Sequence, residues 1–123
     1  MLLTTRVRLV LSGPPNTAIP GVKVSLYDRD IQNEDDFLST GTTDDQGEIT
    51  FRFESEVYPD AEENELWRLE SLPDLYVKVY DAHGQILLST RSETLEDQLP
   101  KLITIPISQE LVEKHGLMPY SYN

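Results

Sequence analysis

The sequence predicts an all-β fold, a seven-stranded antiparallel sandwich with one or two short helices, and three observations point to it. Apolar and polar residues alternate over several short stretches, as they do in strands that bury one face. Turn-forming residues such as glycine, proline and asparagine separate these stretches. The hydrophobic share of 38% over 123 residues suits one domain, residues 1–123, whose strands are buried on one side only.

The clearest alternation places Val24 and Leu26 on one face of a strand, and Phe51 and Phe53 on one face of another. Successive side chains of a strand point to opposite sides of the sheet, so these residues are expected to face a shared core. The same reading applied along the chain predicts seven strands. They are residues 5–12, 22–28, 40–43, 48–53, 74–81, 85–90 and 102–107.

Short polar segments mark the points where the strands end. Residues 13–16 end the first strand, because their prolines cannot donate to a ladder. Residues 44–47 predict a tight turn, since aspartate side chains bond their own backbone and glycine tolerates a positive φ. Residues 28–39 predict a polar loop that Phe37 and Leu38 anchor to the core.

Two segments predict short helices. Residues 61–71 contain good helix formers and predict a helix that crosses between the sheets; the alternative is an acidic loop with Trp67 docked on the domain. Ser108 and Gly116 have the residue types of an N-cap and a C-cap, and they predict a helix over residues 109–115.

The net charge of −12 is regional, because residues 28–65 carry 14 acidic and two basic residues while the rest of the chain is balanced. Such a surface repels the phosphates of nucleic acids and of anionic lipids, so we expect neither as a partner. The alternative is that the acids keep a small domain soluble.

The N-terminal apolar stretch is interrupted by Arg6 and Arg8, and no run approaches the ~20 apolar residues of a membrane helix. The sequence therefore predicts a cytoplasmic protein. It contains no cysteine, so disulfide and thiolate chemistry are excluded.

Three runs carry a resemblance to a known family: G-x-x-V-x-L-x-D-x-D at residues 21–30, D-D-F-L at residues 35–38, and T-T-D-x-x-G-x-x-x-F at residues 42–51. They resemble the transthyretin-like (prealbumin-like) sandwich, nearest the nematode transthyretin-like proteins and the modules that open intradiol dioxygenases. Residues 73–90 are similar to the later strands of such modules. The resemblance covers residues 5–107 and implies a sandwich that often pairs edge to edge as a homodimer.

The enzymes of this fold resemble the chain less well. Hydroxyisourate hydrolases need a histidine near the start and a Tyr-Arg-Gly-Ser ending, whereas the first histidine here is His83 and residues 119–123 read Pro-Tyr-Ser-Tyr-Asn. No Gly-x-Ser-x-Gly elbow and no glycine-rich phosphate loop occurs. His83 and His115, without any cysteine, disfavour a zinc site. We therefore expect no enzyme, with a hydroxyisourate-hydrolase-like activity as a further alternative.

The acidic loop predicts a calcium site, because calcium takes six to eight oxygen ligands and clustered carboxylates supply them, as in C2 domains. The candidate ligands are Asp28, Asp30, Asp35 and Asp36, with Asp81 joining them from after a neighbouring strand. The loop does not have the glycine and glutamate positions of an EF-hand. The alternative is local turn structure, in which these carboxylates accept hydrogen bonds from nearby backbone amides. No cofactor other than calcium is expected.

Tyrosines lie on the sides of the predicted strands that face away from the apolar rows. Tyr27, Tyr76 and Tyr80, with Lys23 and Lys78 beside them, predict an aromatic surface suited to a protein partner. The alternative is cross-strand tyrosine pairing on an ordinary sheet face. The leading hypothesis is a non-enzymatic protein-binding or adaptor module that presents a rigid sheet face or a sheet edge to a partner of unknown identity.

Overall fold

The computed structural model describes residues 2–30, 33–54, 72–96 and 98–119. Within them, seven strands precede one α-helix, and a single 3-10 turn, Arg91–Glu93, follows the sixth strand. In chain order the elements are β1 (Leu2–Leu11), β2 (Lys23–Asp28), β3 (Asp36–Thr42), β4 (Glu48–Glu54), β5 (Leu75–Tyr80), β6 (Ile86–Ser89), β7 (Leu102–Ile107) and α1 (Gln109–His115).

The seven strands form two sheets, one of three strands in the order β4-β1-β7 and one of four strands in the order β3-β2-β5-β6. The prediction of an all-β chain with seven strands is confirmed. The expectation of a wholly antiparallel sandwich is wrong at one pair, because β1 and β7 run parallel, with Val7 opposite Ile103. Alternation along a strand determines which side is buried, but it leaves the direction of the neighbouring strand open.

The core consists of the residues on the inner faces of the two sheets. Val24 and Leu26 of β2 are fully buried, as are Phe51 of β4 and Val77 of β5, and the predicted inward faces are confirmed. Each such side chain contributes about 1.5–3 kcal/mol by leaving water. The core also includes Ile19, Val22 and Val112, which lie outside the two sheets.

Strand β3 starts four residues earlier than predicted, so the two expected anchors are strand residues rather than loop residues. Leu38 packs against the core as expected. Phe37 does not, since it is 57% exposed. The register of β2 with β3 shifts between Leu26 and Tyr27, and this irregularity places Phe37 on the outer face beside Tyr27.

The predicted turn between β3 and β4 is present and closes against β1. Asp44 Oδ1 accepts hydrogen bonds from the amides of Gln46 and Glu48 at 2.8 and 3.0 Å. Gly47 has a φ of +73° and its carbonyl accepts a hydrogen bond from the Leu9 amide at 2.8 Å. A Cβ at Gly47 would lie 2.6 Å from the Leu9 carbonyl oxygen, so the turn requires glycine for space as well as for backbone conformation.

Helix α1 has the predicted bounds and both predicted caps. The Ser108 hydroxyl accepts a hydrogen bond from an amide of the first turn, Gly116 ends the helix in the left-handed conformation, and Val112 packs into the core. Among the described residues, no helix is long and apolar enough to cross a membrane. The helix predicted over residues 61–71, with Trp67, lies outside the described residues.

Candidate functional site

The predicted partner-binding residues lie together on the outer face of the four-stranded sheet. Because β2 and β5 are antiparallel neighbours, Tyr27 is opposite Tyr76, and Lys23 is opposite Tyr80. Lys78 lies between the two tyrosines of β5. We call this surface, formed by Lys23, Tyr27, Tyr76, Lys78 and Tyr80, the tyrosine face. The alternate residues of the same two strands point to the other side of the sheet and belong to the core.

The rings of the tyrosine face pack on one another across three strands. Tyr27 stacks on Tyr76 with ring centroids 5.3 Å apart and 12° between the planes, and its edge meets Phe37 at 5.8 Å and 76°. Lys78 Nζ lies 4.4 Å from the Tyr27 ring centroid. Aromatic pairs of this kind add about 0.5–1.5 kcal/mol each, and an exposed cation–π contact about 0.5–1 kcal/mol. The rings are therefore held in fixed orientations before any partner binds.

Tyr80 has a different electrostatic setting from Tyr27. A hydrogen bond from Tyr27 to Tyr80, together with burial, raises the pKa of Tyr27 to about 12. Burial acts to raise the pKa of Tyr80 too, but hydrogen bonds from Tyr27 and Ser25 and the charges of Lys78 and Lys23 outweigh it, so that pKa lies below its usual value. Lys23 Nζ lies 5.2 Å from the Tyr80 ring centroid. Two cations thus lie directly on the rings of this face.

Tyr76 is buried, which corrects the expectation that it is part of an exposed surface. It is only 2% exposed although it points to the outer side of the sheet. Its hydroxyl donates to Asp35 Oδ2, and the Arg91 guanidinium covers the ring at 6.0 Å from the centroid. Burial and the bond to Asp35 raise the pKa of Tyr76 to about 12. The loop before β3 and the turn after β6 therefore close over this tyrosine and remove it from contact with a partner.

Asp35 is the group that joins these two segments. Arg91 Nε lies 2.7 Å from Asp35 Oδ2, and the Asp35 Oδ1 atom accepts a hydrogen bond from the Asp30 amide at 3.0 Å. The hydrogen bonds from Arg91 and Tyr76, and the one from the Asp30 backbone, hold the pKa of Asp35 well below its usual range. This carboxylate is ionised and has its oxygens occupied by protein donors.

Other carboxylates of the acidic loop also accept hydrogen bonds from the backbone. Asp28 Oδ1 accepts from the Asp74 amide at 2.9 Å, and Asp30 Oδ1 accepts from the amide three residues on at 3.1 Å. Burial raises the pKa of Asp28. Asp36 begins β3 opposite Asp28. The structure thus brings Asp28, Asp30, Asp35 and Asp36 to one end of the sheet, where three of the four accept hydrogen bonds from backbone amides.

Asp81, the fifth candidate calcium ligand, lies elsewhere. Since β2 and β5 run antiparallel, Asp28 at the end of β2 and Asp81 just past the end of β5 lie at opposite ends of the sheet, about 20 Å apart along the strands. This placement corrects the expectation that Asp81 neighbours the acidic loop. No group of three or more His, Cys, Asp or Glu side chains within the described ranges is arranged to hold a metal ion. Calcium binding stays a prediction.

The role of Asp81 is instead to fix a turn and to bind the C-terminal helix. Its Oδ1 accepts from the amides of His83 and Gln85 at 2.9 and 3.0 Å, and its Oδ2 lies 2.9 Å from His115 Nδ1. The hydrogen bond from His115 lowers the pKa of Asp81, although burial opposes it. This pair could not be predicted from the sequence, because the two residues are 34 positions apart and no local pattern links them.

A cleft of about 480 Å³ opens beside this pair, between α1 and the Tyr80 end of the tyrosine face. Its described lining includes Lys23, Thr42, Tyr80 and His115, and among the described residues the hydrogen bond of the His115 ring runs to Asp81. A histidine that is oriented by an aspartate needs a nucleophile within hydrogen-bond reach to form a hydrolytic triad. The described geometry of the pair serves to attach α1 to the sheet.

Comparison with known proteins adds little to this geometry. No protein-family model matches the sequence, and no curated protein matches it. Among solved structures, a 9R-lipoxygenase from Cyanothece PCC8801 is similar with 17% identity and a TM-score of 0.49. The match covers 87% of this chain and 16% of that chain, so the present chain spans about a sixth of the lipoxygenase. A likeness at this level carries no argument about fold or function.

Proposed function

We propose that the chain is a non-enzymatic module that binds a protein partner on the tyrosine face. The observation that carries the proposal is an apolar and aromatic strip on the outer face of the four-stranded sheet, which the Asp35–Arg91 ion pair crosses above Tyr76. Phe37 on β3 and Ile86 on β6 are 57% and 54% exposed, and they lie opposite Tyr27 and Tyr80. Single exposed apolar residues are ordinary, but aromatic rings packed beside exposed apolar side chains are typical of a binding surface.

The order within this strip supports binding at low entropic cost. Tyr27 is fixed by Tyr76 beneath it and by Lys78 above it, so its rotamer is already selected. Immobilising a free side chain on binding costs about 0.5–1.5 kcal/mol, and a preset ring avoids most of that cost. Tyrosine also offers a hydroxyl to a partner next to a large apolar area.

We further propose that the sandwich is of the transthyretin-like type and that it also pairs edge to edge as a homodimer. Seven strands in two sheets, with alternate residues buried between them, support the first proposal. Within the described residues, the outer strands β3, β4, β6 and β7 each have a neighbour on one side only, which supports the second proposal, because an unpaired edge can template another strand. Sedimentation of the purified chain measures its oligomeric state and so tests the homodimer.

We also propose a cytoplasmic location, which cell fractionation tests.

Two matched double variants test the binding proposal. In the first, Phe37→Ser and Ile86→Ser remove exposed apolar area from the tyrosine face. In the second, Leu2→Ser and Leu102→Ser remove exposed apolar area from the outer face of the other sheet, where these residues are 59% and 38% exposed. A partner cross-linked to the wild type is identified by mass spectrometry, purified, and titrated against each variant.

We expect the first variant to lose at least tenfold in affinity for that partner and the second to retain it. Both variants are expected to keep the Tm of the wild type within a few degrees, since neither pair belongs to the core. Equal affinity of the two variants would contradict the proposal. Tyr76 is left intact, because its substitution would remove a buried contact and confound binding with folding.

A further inference from the structure

The outer face of the three-stranded sheet carries three arginines. Along β1 the odd-numbered residues enter the core, so Arg6 and Arg8 point outward, about 6.8 Å apart along the strand. Arg52 of β4 points to the same side. Because Arg6 pairs with Thr50, Arg52 is its diagonal neighbour, about 7–8 Å away. We call Arg6, Arg8 and Arg52 the arginine face.

The described residues compensate these charges poorly. Glu48 Oε1 lies 3.9 Å from Arg6 Nη1, with both side chains partly in water, and such a pair is weak. No ion pair to Arg8 or Arg52 forms within the described ranges. Arg8 Nε is buried and has no hydrogen-bond partner in the same ranges. A buried donor without an acceptor costs about 1–3 kcal/mol, so an oxygen supplied by a ligand would be favourable there.

The overall charge of the chain does not determine what binds on this face. The excess of acidic residues lies in residues 28–65, and Arg52 is one of only two basic residues in that range. At physiological ionic strength the Debye length is about 8 Å, so distant exposed charges are largely screened. A ligand seated on the arginine face is therefore governed by the groups beneath it, which are the three arginines and the two glutamates on the same side of β4, Glu48 and Glu54.

We propose that the arginine face binds an acidic polypeptide segment of a partner. Guanidinium groups bind carboxylates through paired, charge-assisted hydrogen bonds. Carboxylates on alternate residues of an extended peptide are spaced by the same ~6.8 Å as Arg6 and Arg8. Single-stranded nucleic acid fits less well, because it needs aromatic rings for base stacking and the outward positions of the described strands here have none. Those positions, other than the three arginines and the two glutamates, are Leu2, Thr4, Val10, Thr50, Leu102, Thr104 and Pro106.

This site is separate from the tyrosine face, since the two lie on the outer faces of different sheets. The inference does not depend on the proposed function of the tyrosine face, and either can fail alone. If both hold, one domain contacts an apolar surface on one side and an acidic segment on the other.

The test uses a fluorescein-labelled peptide of eight glutamates and fluorescence anisotropy with the whole chain, at low and at physiological salt. The double variant Arg6→Gln and Arg52→Gln removes the two exposed arginines. The control, Lys23→Gln and Lys114→Gln, removes the same charge from positions outside the arginine face. We expect at least a tenfold loss of affinity in the first variant and less than a twofold change in the control.

Three results would overturn the inference: no binding of the peptide by the wild type, equal loss in both variants, or tighter binding of a single-stranded oligonucleotide of equal charge. Sedimentation of the wild type and of both variants tests whether the arginine face instead binds a second copy of this chain. If the wild type and the control self-associate and only the arginine variant does not, the face binds a second copy, which contradicts a foreign partner. If the glutamine variant fails to fold, the double variant Arg6→Lys and Arg52→Lys replaces it. Lysine keeps the charge but cannot form the paired hydrogen bonds, so we expect this variant to lose at least threefold in affinity for the peptide.

Discussion

Asp35 and Arg91 come from opposite edges of the four-stranded sheet, yet their side chains meet at 2.7 Å above Tyr76. Asp35 precedes the edge strand β3, and Arg91 follows the edge strand β6. The tyrosine between them lies on an inner strand and donates its hydroxyl to the same carboxylate. One ion pair therefore ties both edges of the sheet together across its outer face.

Replacing Asp35 by asparagine should destabilise the chain at neutral pH and have less effect in acid. The folded pKa of Asp35 lies well below its ordinary value of 3.8, so its contribution is present above about pH 4 and is lost as the pH falls through the folded pKa. Thermal unfolding from about pH 7 to pH 2 measures this. The Tm difference between the wild type and Asp35→Asn should narrow as the pH falls, whereas Asp45→Asn, in an exposed turn, should show no such trend. A difference that stays constant would contradict the ion pair.

Alkaline conditions should act through Tyr76. Its pKa is raised to about 12 from an ordinary value of 10, so the neutral phenol is the form that the fold favours. The stability that this provides is present below pH 10 and is lost between about pH 10 and 12. Phenolate absorbance of the native chain should show late-titrating tyrosines, and Tyr76→Phe should remove one of them. The unfolded chain is the control, since all of its tyrosines should titrate near pH 10.

Two glycine substitutions separate backbone strain from lack of space. Gly84→Ala meets nothing within 4 Å and should cost only the strain of its positive φ, about 1–2 kcal/mol. Gly47→Ala has a similar φ but brings its Cβ to 2.6 Å from the Leu9 carbonyl oxygen, so we expect a loss of about 3 kcal/mol or more. Denaturant unfolding gives both values. Equal losses would show that β1 does not press on the turn.

The two histidines offer a matched test of how α1 is attached. His115→Ala removes the partner of the buried Asp81 carboxylate and should lower the Tm, whereas His83→Ala, in an exposed turn, should leave it nearly unchanged. The pKa of Asp81 is lower in the folded chain than its ordinary value of 3.8. The loss of Tm in His115→Ala should therefore be present above about pH 4 and should diminish as the pH falls through the folded pKa of Asp81. Hydrogen exchange should locate the loss in α1. Equal behaviour of the two variants would contradict this attachment.

Calcium should leave the Tm unchanged at millimolar concentration, with magnesium as the matched control. A ligand that binds only the native state must raise its stability. Asp35 already accepts bonds from protein donors, and Asp81 lies at the other end of the sheet, so the loop offers a partial set of ligands. A rise in Tm with calcium alone, absent in Asp36→Asn, would establish the calcium alternative.

Features that depend on neighbouring residues could be predicted from the sequence. Helix α1 was predicted with its bounds because Ser108 and Gly116 act within one turn of it. The inward faces of Val24 and Phe51 follow from alternation along single strands. Phe37 shows the limit of local patterns, since it was predicted to anchor a loop to the core, whereas the register shift between β2 and β3 places it on the outer face.

Features that depend on contacts between distant residues could not be predicted. Tyr76 lies on the outer face as its position in β5 required, but alternation carries no information on the Asp35 and Arg91 side chains that cover it. The pairing of Asp81 with His115 depends on where α1 docks. The placement of Asp81 relative to the acidic loop required the antiparallel order of β2 and β5, which only the assembled sheet provides.

The central place of β1 in its sheet has a consequence for the order of assembly. Val7 pairs with Ile103, 96 residues further along, whereas Val24 of the other sheet pairs with Val79, 55 residues further along. Contacts between such distant positions form slowly, because a long loop must close before they gain anything. On a ribosome, β1 must wait until β7 has been synthesised, whereas β2, β3, β5 and β6 all end by Ser89. We therefore expect pulse-labelled amides of Val7 to acquire protection after those of Val24 and Val77, so that the first-made of these seven strands is the last to reach its final neighbours.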